Sequence, residues 1–284
     1  MLKRILVALD PDPDTTVATR YGISLAEKHN ASITGLAVVD SNQITAEVGN
    51  GGVGTVYYID QLQQQMSEST RREAGKLLDS FREMVERAGI RFGETLEEGV
   101  PYERIIEDMK YHDLLIIGRD PHFYYNRPEL KTNTLAQVIK KGNVPSLVVT
   151  ESYREVNSAL VAYDGSSSAV RTLQWFAQLA PFGKQLELEL VHVDTGGTRR
   201  SHDEANLLLR LSEDFLKVHE FSSISKTILD GDEPAEQLMS RQKEIGADLF
   251  ILGAHSMSAL RRLAFGSVTH YLVTRSTVPM FMCH

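Results

Sequence analysis

The chain repeats itself. Lys3–Asp10 (KRILVALD) and Ser158–Asp164 (SALVAYD) are short apolar runs that end in aspartate. Thr19–Asp40 and Thr172–Asp194 then each read as an amphipathic helix, a turn, an apolar run and a second aspartate. Asp10 and Asp164 are 154 residues apart, and so are Asp40 and Asp194. The likeness resumes at Leu96–Gly118 against Leu229–Gly253, where the glycines are 135 apart. It closes at Thr134–Val149 against Val268–Cys283, with Pro145 and Pro279 separated by 134. The offset falls because the first half carries about twenty extra residues between Asp40 and Leu96. A period this long marks a duplicated domain, since solenoid repeats run ~20–50 residues.

Each half reads β-α-β-α-β-α-β, with a further short strand expected near Arg91–Glu97 and Ser225–Leu229. The strands are continuous apolar runs, as in Leu249–Leu252, rather than alternations. That pattern belongs to parallel strands covered on both faces. The expected class is α/β: two tandem Rossmann-like domains, each a five-stranded parallel sheet with helices on both faces. The domains are read as 1–150 and 157–284, divided by the polar stretch Thr150–Asn157. The last strand of each half, Ser146–Thr150 and Met280–His284, is a candidate edge, and pairing the two would cover both.

The extra segment of the first half is glycine-rich (Gly49, Gly51, Gly52, Gly54) and reads as a mobile loop. A long helix over about Asp60–Ala88 follows, with Leu62, Met66, Leu77, Phe81 and Val85 as core candidates and Gly89 as its stop.

Composition narrows the function. The net charge of −8 argues against a general nucleic-acid binder, which needs a basic excess. A single cysteine, Cys283, permits no internal disulfide. The apolar run in MLKRILVALD is too short for a secretory signal, and no stretch reaches the ~20 apolar residues of a membrane helix. A cytoplasmic protein without membrane partners is expected.

Ligands of such sheets bind beyond the carboxyl ends of the strands. Asp164 stands at one such end, either accepting from a ribose hydroxyl or base edge, or capping the next helix through the following GSSS. The backbone of Val193 ends the neighbouring strand and can meet an adenine edge. Gly253, Ser256, Gly266, Ser267 and Thr269 make a strand-to-helix loop, with Ser267 as the expected N-cap. Small residues and free amides at a helix start suit a phosphate. Arg261 and Arg262 can add charge there, or simply be solvated, and His255 reads as a polar loop residue. There is no GxxxxGK[ST], HExxH or GxSxG, so no catalytic or metal site is assigned.

These residues resemble the universal stress proteins over nearly the whole chain. The family's signature is Gly, two residues, Gly, nine residues, Gly, then Ser or Thr. Here it runs Gly253, two residues, Ser256, nine residues, Gly266, Ser267. GDEPAEQL and VAYDGS are also similar to the family. The resemblance implies a stress-response protein that binds ATP or another adenine nucleotide, with or without Mg, and that is regulatory rather than catalytic. An interaction or scaffold role without nucleotide, or slow ATP hydrolysis, are the alternatives. It implies a nucleotide site of Asp164, Val193, Leu252, Gly253, Ser256, Gly266, Ser267, Val268 and Thr269. It also implies an intramolecular pseudo-dimer through the last strands, open to further homodimerisation. Ser256 departs from the signature: a positive φ there would cost ~1 kcal/mol, whereas its hydroxyl could donate to phosphate. In the first half, Lys131-Thr132-Asn133-Thr134 replaces Gly-Ser, and Phe123, Tyr124, Tyr125 and Pro128 crowd the loop. That pocket is expected to be degenerate and to serve an interface or regulatory role.

Overall fold

The structure, a computed structural model, describes residues 1–40, 56–123, 125, 132–254 and 265–284, without the side chains at 56–60 and 62–63. The glycine-rich stretch Gly49–Gly54 and the side chain of Leu62 lie outside the described residues. Two compact units emerge: Lys3–Val138, and Met1–Leu2 with Ile139–His284.

The first unit contains β1 (Arg4–Leu9), α1 (Asp14–His29), β2 (Ser32–Val39), α2 (Val56–Ala88), β3 (Phe92–Glu98), α3 (Pro101–Met109) and β4 (Leu114–Gly118). Its strands lie in the order β3-β2-β1-β4 and are parallel. β1 is buried from Ile5 to Leu9 and β4 throughout, which is why both read as unbroken apolar runs. α2 starts earlier than the sequence suggests, and its buried stripe is Thr70, Ala74, Leu78, Phe81 and Val85. Leu77 and Met66 are half-buried instead, because the i, i+4 row that meets β2 passes through Ala74 and Leu78. Phe81 lies over Gly35 of β2, where a Cβ would come within 2.8 Å of its ring. Helix α4 (Thr134–Lys141) follows β4 and spans the unit boundary.

The second unit contains β5 (Ser146–Val149), β6 (Ser158–Ala162), α5 (Ser167–Leu179), β7 (Glu187–Asp194), α6 (Arg199–Val218), β8 (Ile224–Asp230), α7 (Pro234–Ile245), β9 (Leu249–Gly253), α8 (Ser267–Arg275) and β10 (Met280–Cys283). The strand order is β5-β10-β9-β6-β7-β8. The five strands of the second repeat are parallel, and β5 joins them antiparallel to β10, with Phe281 opposite Leu147. The two closing strands of the repeats therefore cover each other's edges. Both are fully buried.

The chain leaves β6 toward β7 and β8, then returns to β9 on the other side of β6. Right-handed crossovers put α5 and α6 on one face and α7 and α8 on the other, and α7 packs on α8. Phe176 of α5 sits between Phe221 and Phe281, with ring centroids 5.8 and 5.2 Å away. All three rings are buried, each worth ~1.5–3 kcal/mol. The reversal of direction at β6 opens a crevice at the carboxyl ends of the strands.

Candidate functional site

A cavity of about 670 Å³ occupies that crevice in the second unit. This is within the roughly 300–1,000 Å³ of small-molecule sites. It is lined by Asp164, Val193, Leu252, Gly253, Gly266, Ser267, Val268 and Thr269. The ninth residue expected from the sequence, Ser256, lies outside the described residues, as do His255, Arg261 and Arg262. One wall is apolar, with Ala162, Val191, Ala205, Leu208 and Leu238. The start of α8 also lines the cavity. The cavity thus offers an apolar slot and an amide-rich mouth.

The local geometry follows from the sequence. Gly165 turns the chain after β6 with φ +75°, a conformation that favours glycine. Ser166 then caps α5, its hydroxyl accepting from the amide of Ala169 at 3.3 Å. Asp164 Oδ1 accepts from the Ser166 amide at 2.9 Å. The aspartate is therefore partly engaged in holding the turn, and it remains exposed at the rim of the cavity.

Val193 presents backbone. The Tyr163 amide donates to the Val191 carbonyl at 2.9 Å. Peptide groups of a parallel strand face the same neighbour at every second residue. Those of Val193 consequently point to the same side, past Ala162 where β6 has stopped.

Gly253 ends β9 against the start of α5. A Cβ there would stand 2.4 Å from the Ala169 nitrogen and 2.8 Å from Ser168 Oγ. The close approach expected at this glycine is thus made first by its own helix. Gly266, rather than Ser267, is the N-cap of α8, with φ −65° and ψ 163°, and Ser267 is the first helical residue. The extended glycine already occupies the capping position and has no side chain with which to cap the first turn. That turn directs its amides at the cavity mouth.

Several lining residues carry no motif in the sequence. His192 Nδ1 meets the Tyr163 carbonyl at 2.9 Å. Ser201, Glu204 and Leu208 come from α6, on a face beside its buried row of Ala205 and Leu209. Asp194 accepts from Gly196 N and Ser201 Oγ, both at 2.9 Å. Burial opposes its ionisation, but these donors together with the Gly197 amide and the neighbouring His192 hold its pKa below the usual carboxylate range.

The equivalent place in the first unit is built differently. Gly118 ends β4 as Gly253 ends β9, and a Cβ there would lie 2.4 Å from Asp14 Oδ1. Asp14 thus replaces Ser168, 154 positions on. Asp10 accepts from the amides of His122 (3.0 Å) and Asp12 (3.3 Å), and Asp14 Oδ2 from that of Arg119 (3.0 Å). Burial first, then the charge of Asp12, raises the pKa of Asp10 to about 7. Burial first, then the charge of Asp10, raises that of Asp14 to about 7. Phe123 is buried at φ +53°, and the Tyr125 hydroxyl donates to the Val38 carbonyl at 3.2 Å. Carboxylates and aromatic side chains thus gather at this end of the first unit's strands. Tyr124, Pro128 and Lys131 lie outside the described residues.

Two doubly wound α/β repeats in one chain, with a crevice at the strand reversal, define a tandem Rossmann-like protein. The chain belongs to the universal stress protein family, which it matches over residues 1–150 and 156–284. It is 25% identical to universal stress protein Slr1230 of Synechocystis sp. over 291 residues, covering 98% of this chain and 99% of that one. It is 26% identical to universal stress protein YxiE of Bacillus subtilis over 145 residues, 44% of this chain and 97% of the relative. A crystal structure of a universal stress protein from Archaeoglobus fulgidus shares the fold, with TM-score 0.69 and 21% identity over 99% of this chain and 97% of that one. The stress-response family is thereby established, and no described helix is long and apolar enough to cross a membrane.

Proposed function

We propose that the second repeat binds an adenine nucleotide, ATP foremost, as a regulatory ligand rather than a substrate turned over rapidly. The observation that carries this reading is the glycine-capped start of α8 lining a cavity that also has an apolar wall. Phosphate oxygens take the amides of Ser267, Val268 and Thr269. The base enters the slot and meets the peptide of Val193, and the ribose lies toward Asp164. The small residues Gly253 and Gly266 leave room for backbone approach. Mg²⁺ travels with the triphosphate, and no side chain is assigned to it. The protein acts in the cytoplasm, where the nucleotide is abundant.

A ligand that binds only the folded state stabilises it by mass action, and this links nucleotide level to the population of the bound form. The test is calorimetric titration of the purified chain with ATP, ADP and AMP. ATP should bind most tightly, and mass spectrometry should find adenine nucleotide in protein prepared without chasing. Absence of binding at millimolar ATP, together with indifference to substitution at Gly266, would overturn the reading and favour a pure interaction role.

A further inference from the structure

We propose that the outward face of α6 is an interface for a second copy of this chain, the two helices packing antiparallel about a two-fold axis at Leu207. The helix carries two rows. Ala205, Leu209, Ser212 and Leu216 are buried where α6 packs on β7 and β8. On the opposite side Leu207, Leu211 and Val218 are 46%, 56% and 82% exposed. Residues at i, i+4 and i+11 fall within about 40° of one another around a helix, so the three form one stripe.

The first repeat supplies the comparison. Its helix α2 buries Ala74, Leu78, Phe81 and Val85. Each stands 131 positions before its counterpart in the buried row of α6. At that same offset, Leu207, Leu211 and Val218 correspond to Lys76, Ser80 and Arg87, which are exposed. The buried rows share their positions, and the outward rows differ in kind. α2 keeps the polar face of a surface helix. α6 has an apolar stripe in its place, and a contiguous exposed apolar patch marks a contact surface.

The charges along the stripe name the occupant. Arg200 and Asp214 stand seven residues either side of Leu207, and Asp203 and Arg210 stand four before it and three after. All four are exposed. Laid antiparallel on its own copy, the stripe sets Leu207 against Leu207, Arg200 against Asp214 and Asp203 against Arg210, each charged pair occurring twice. Laid parallel and in register, it would set every charge against its like. Arg200 already meets Glu204 at 3.0 Å, but an exposed pair of this kind is worth little, and a guanidinium has donors to spare. A patch that is complementary to itself is what a two-fold dimer requires. The closing strands are not available for it, because β5 and β10 are buried against each other within one chain.

The experiment is sedimentation equilibrium of the full chain, free of nucleotide, over a range of protein concentrations. A concentration-dependent dimer is expected. Its dissociation constant should rise several-fold between ~0.1 M and ~1 M salt, because exposed charge pairs are screened. Leu207→Glu should weaken the dimer at least about tenfold. Ser80→Glu, at the place of Leu211 on α2, should not. Asp203→Arg puts like charges face to face at Arg210 and should also weaken it, and adding Arg210→Asp should restore it. Leu207, Asp203 and Arg210 are exposed, so the melting temperature of each variant reports that the fold is kept. A chain that stays monomeric at every concentration overturns the proposal and leaves the stripe to another protein or to a segment of the same chain. A dimer indifferent to Leu207→Glu overturns it, as does one that the second charge reversal fails to restore.

Discussion

Gly253 abuts Ala169 so closely that a methyl group on the glycine would lie 2.4 Å from the alanine nitrogen. The atom in the way is backbone, at the first turn of α5, and cannot rotate aside. Gly253→Ala should therefore destabilise the chain by ~1–3 kcal/mol, the usual cost of overpacking. A shifted midpoint in urea unfolding checks this. Unchanged stability would mean that β9 and α5 separate more easily than their packing implies.

Gly266→Asp separates stability from binding. Aspartate is a better N-cap than glycine, so α8 should gain a few tenths of a kcal/mol. The same carboxylate would occupy the amides offered to phosphate and repel it. ATP affinity should fall more than tenfold while the melting temperature holds or rises. A fall in both would point to a folding defect and away from a phosphate site.

The buried acids of the first unit make stability depend on pH. Asp10 and Asp14 are both raised from 3.8 to about 7. Between about pH 4 and pH 7 the folded chain holds protons that the unfolded chain has lost, so the contribution of the pair declines as pH rises through that window. It is fully present below pH 4. Asp14→Asn removes a charge yet keeps an acceptor for the Arg119 amide. The variant should gain ~2 kcal/mol over the parent at pH 8 and little at pH 4. Urea unfolding at the two pH values measures it, and a pH-independent difference would refute the assignment.

Glu189 on β7 is held by Arg241 of α7 through Nη2 at 2.7 Å and Nε at 3.1 Å. The glutamate side chain is 8% exposed. Arg241→Met should leave its charge uncompensated and cost ~2–4 kcal/mol. Glu189→Leu with Arg241→Met should recover most of that. Chemical denaturation of the single and double variants provides the measurement.

The sequence by itself determined the duplication, the class of fold and the strand ends that line the cavity. Short apolar runs without alternation fit strands covered on both faces, and the equal spacing of Asp10–Asp40 and Asp164–Asp194 matches the equal strand–helix–strand order found in both repeats. The glycine–proline segments were legible for a local reason. Gly99 and Gly231 have φ +135° and +151°, which side-chain-bearing residues rarely adopt. The tertiary structure alone decided what those places contain. Gly118 and Gly253 look alike in sequence, but each is pressed against the start of a helix 85 to 104 residues earlier, and that neighbour is Asp14 in one repeat and Ser168 in the other. Asp12 and His122 are distant in the chain and meet only because β1 and β4 are adjacent. Periodicity records which face of an element is buried. It carries no term for which side chains arrive together at the end of a sheet, and there the charge and the cavity were set.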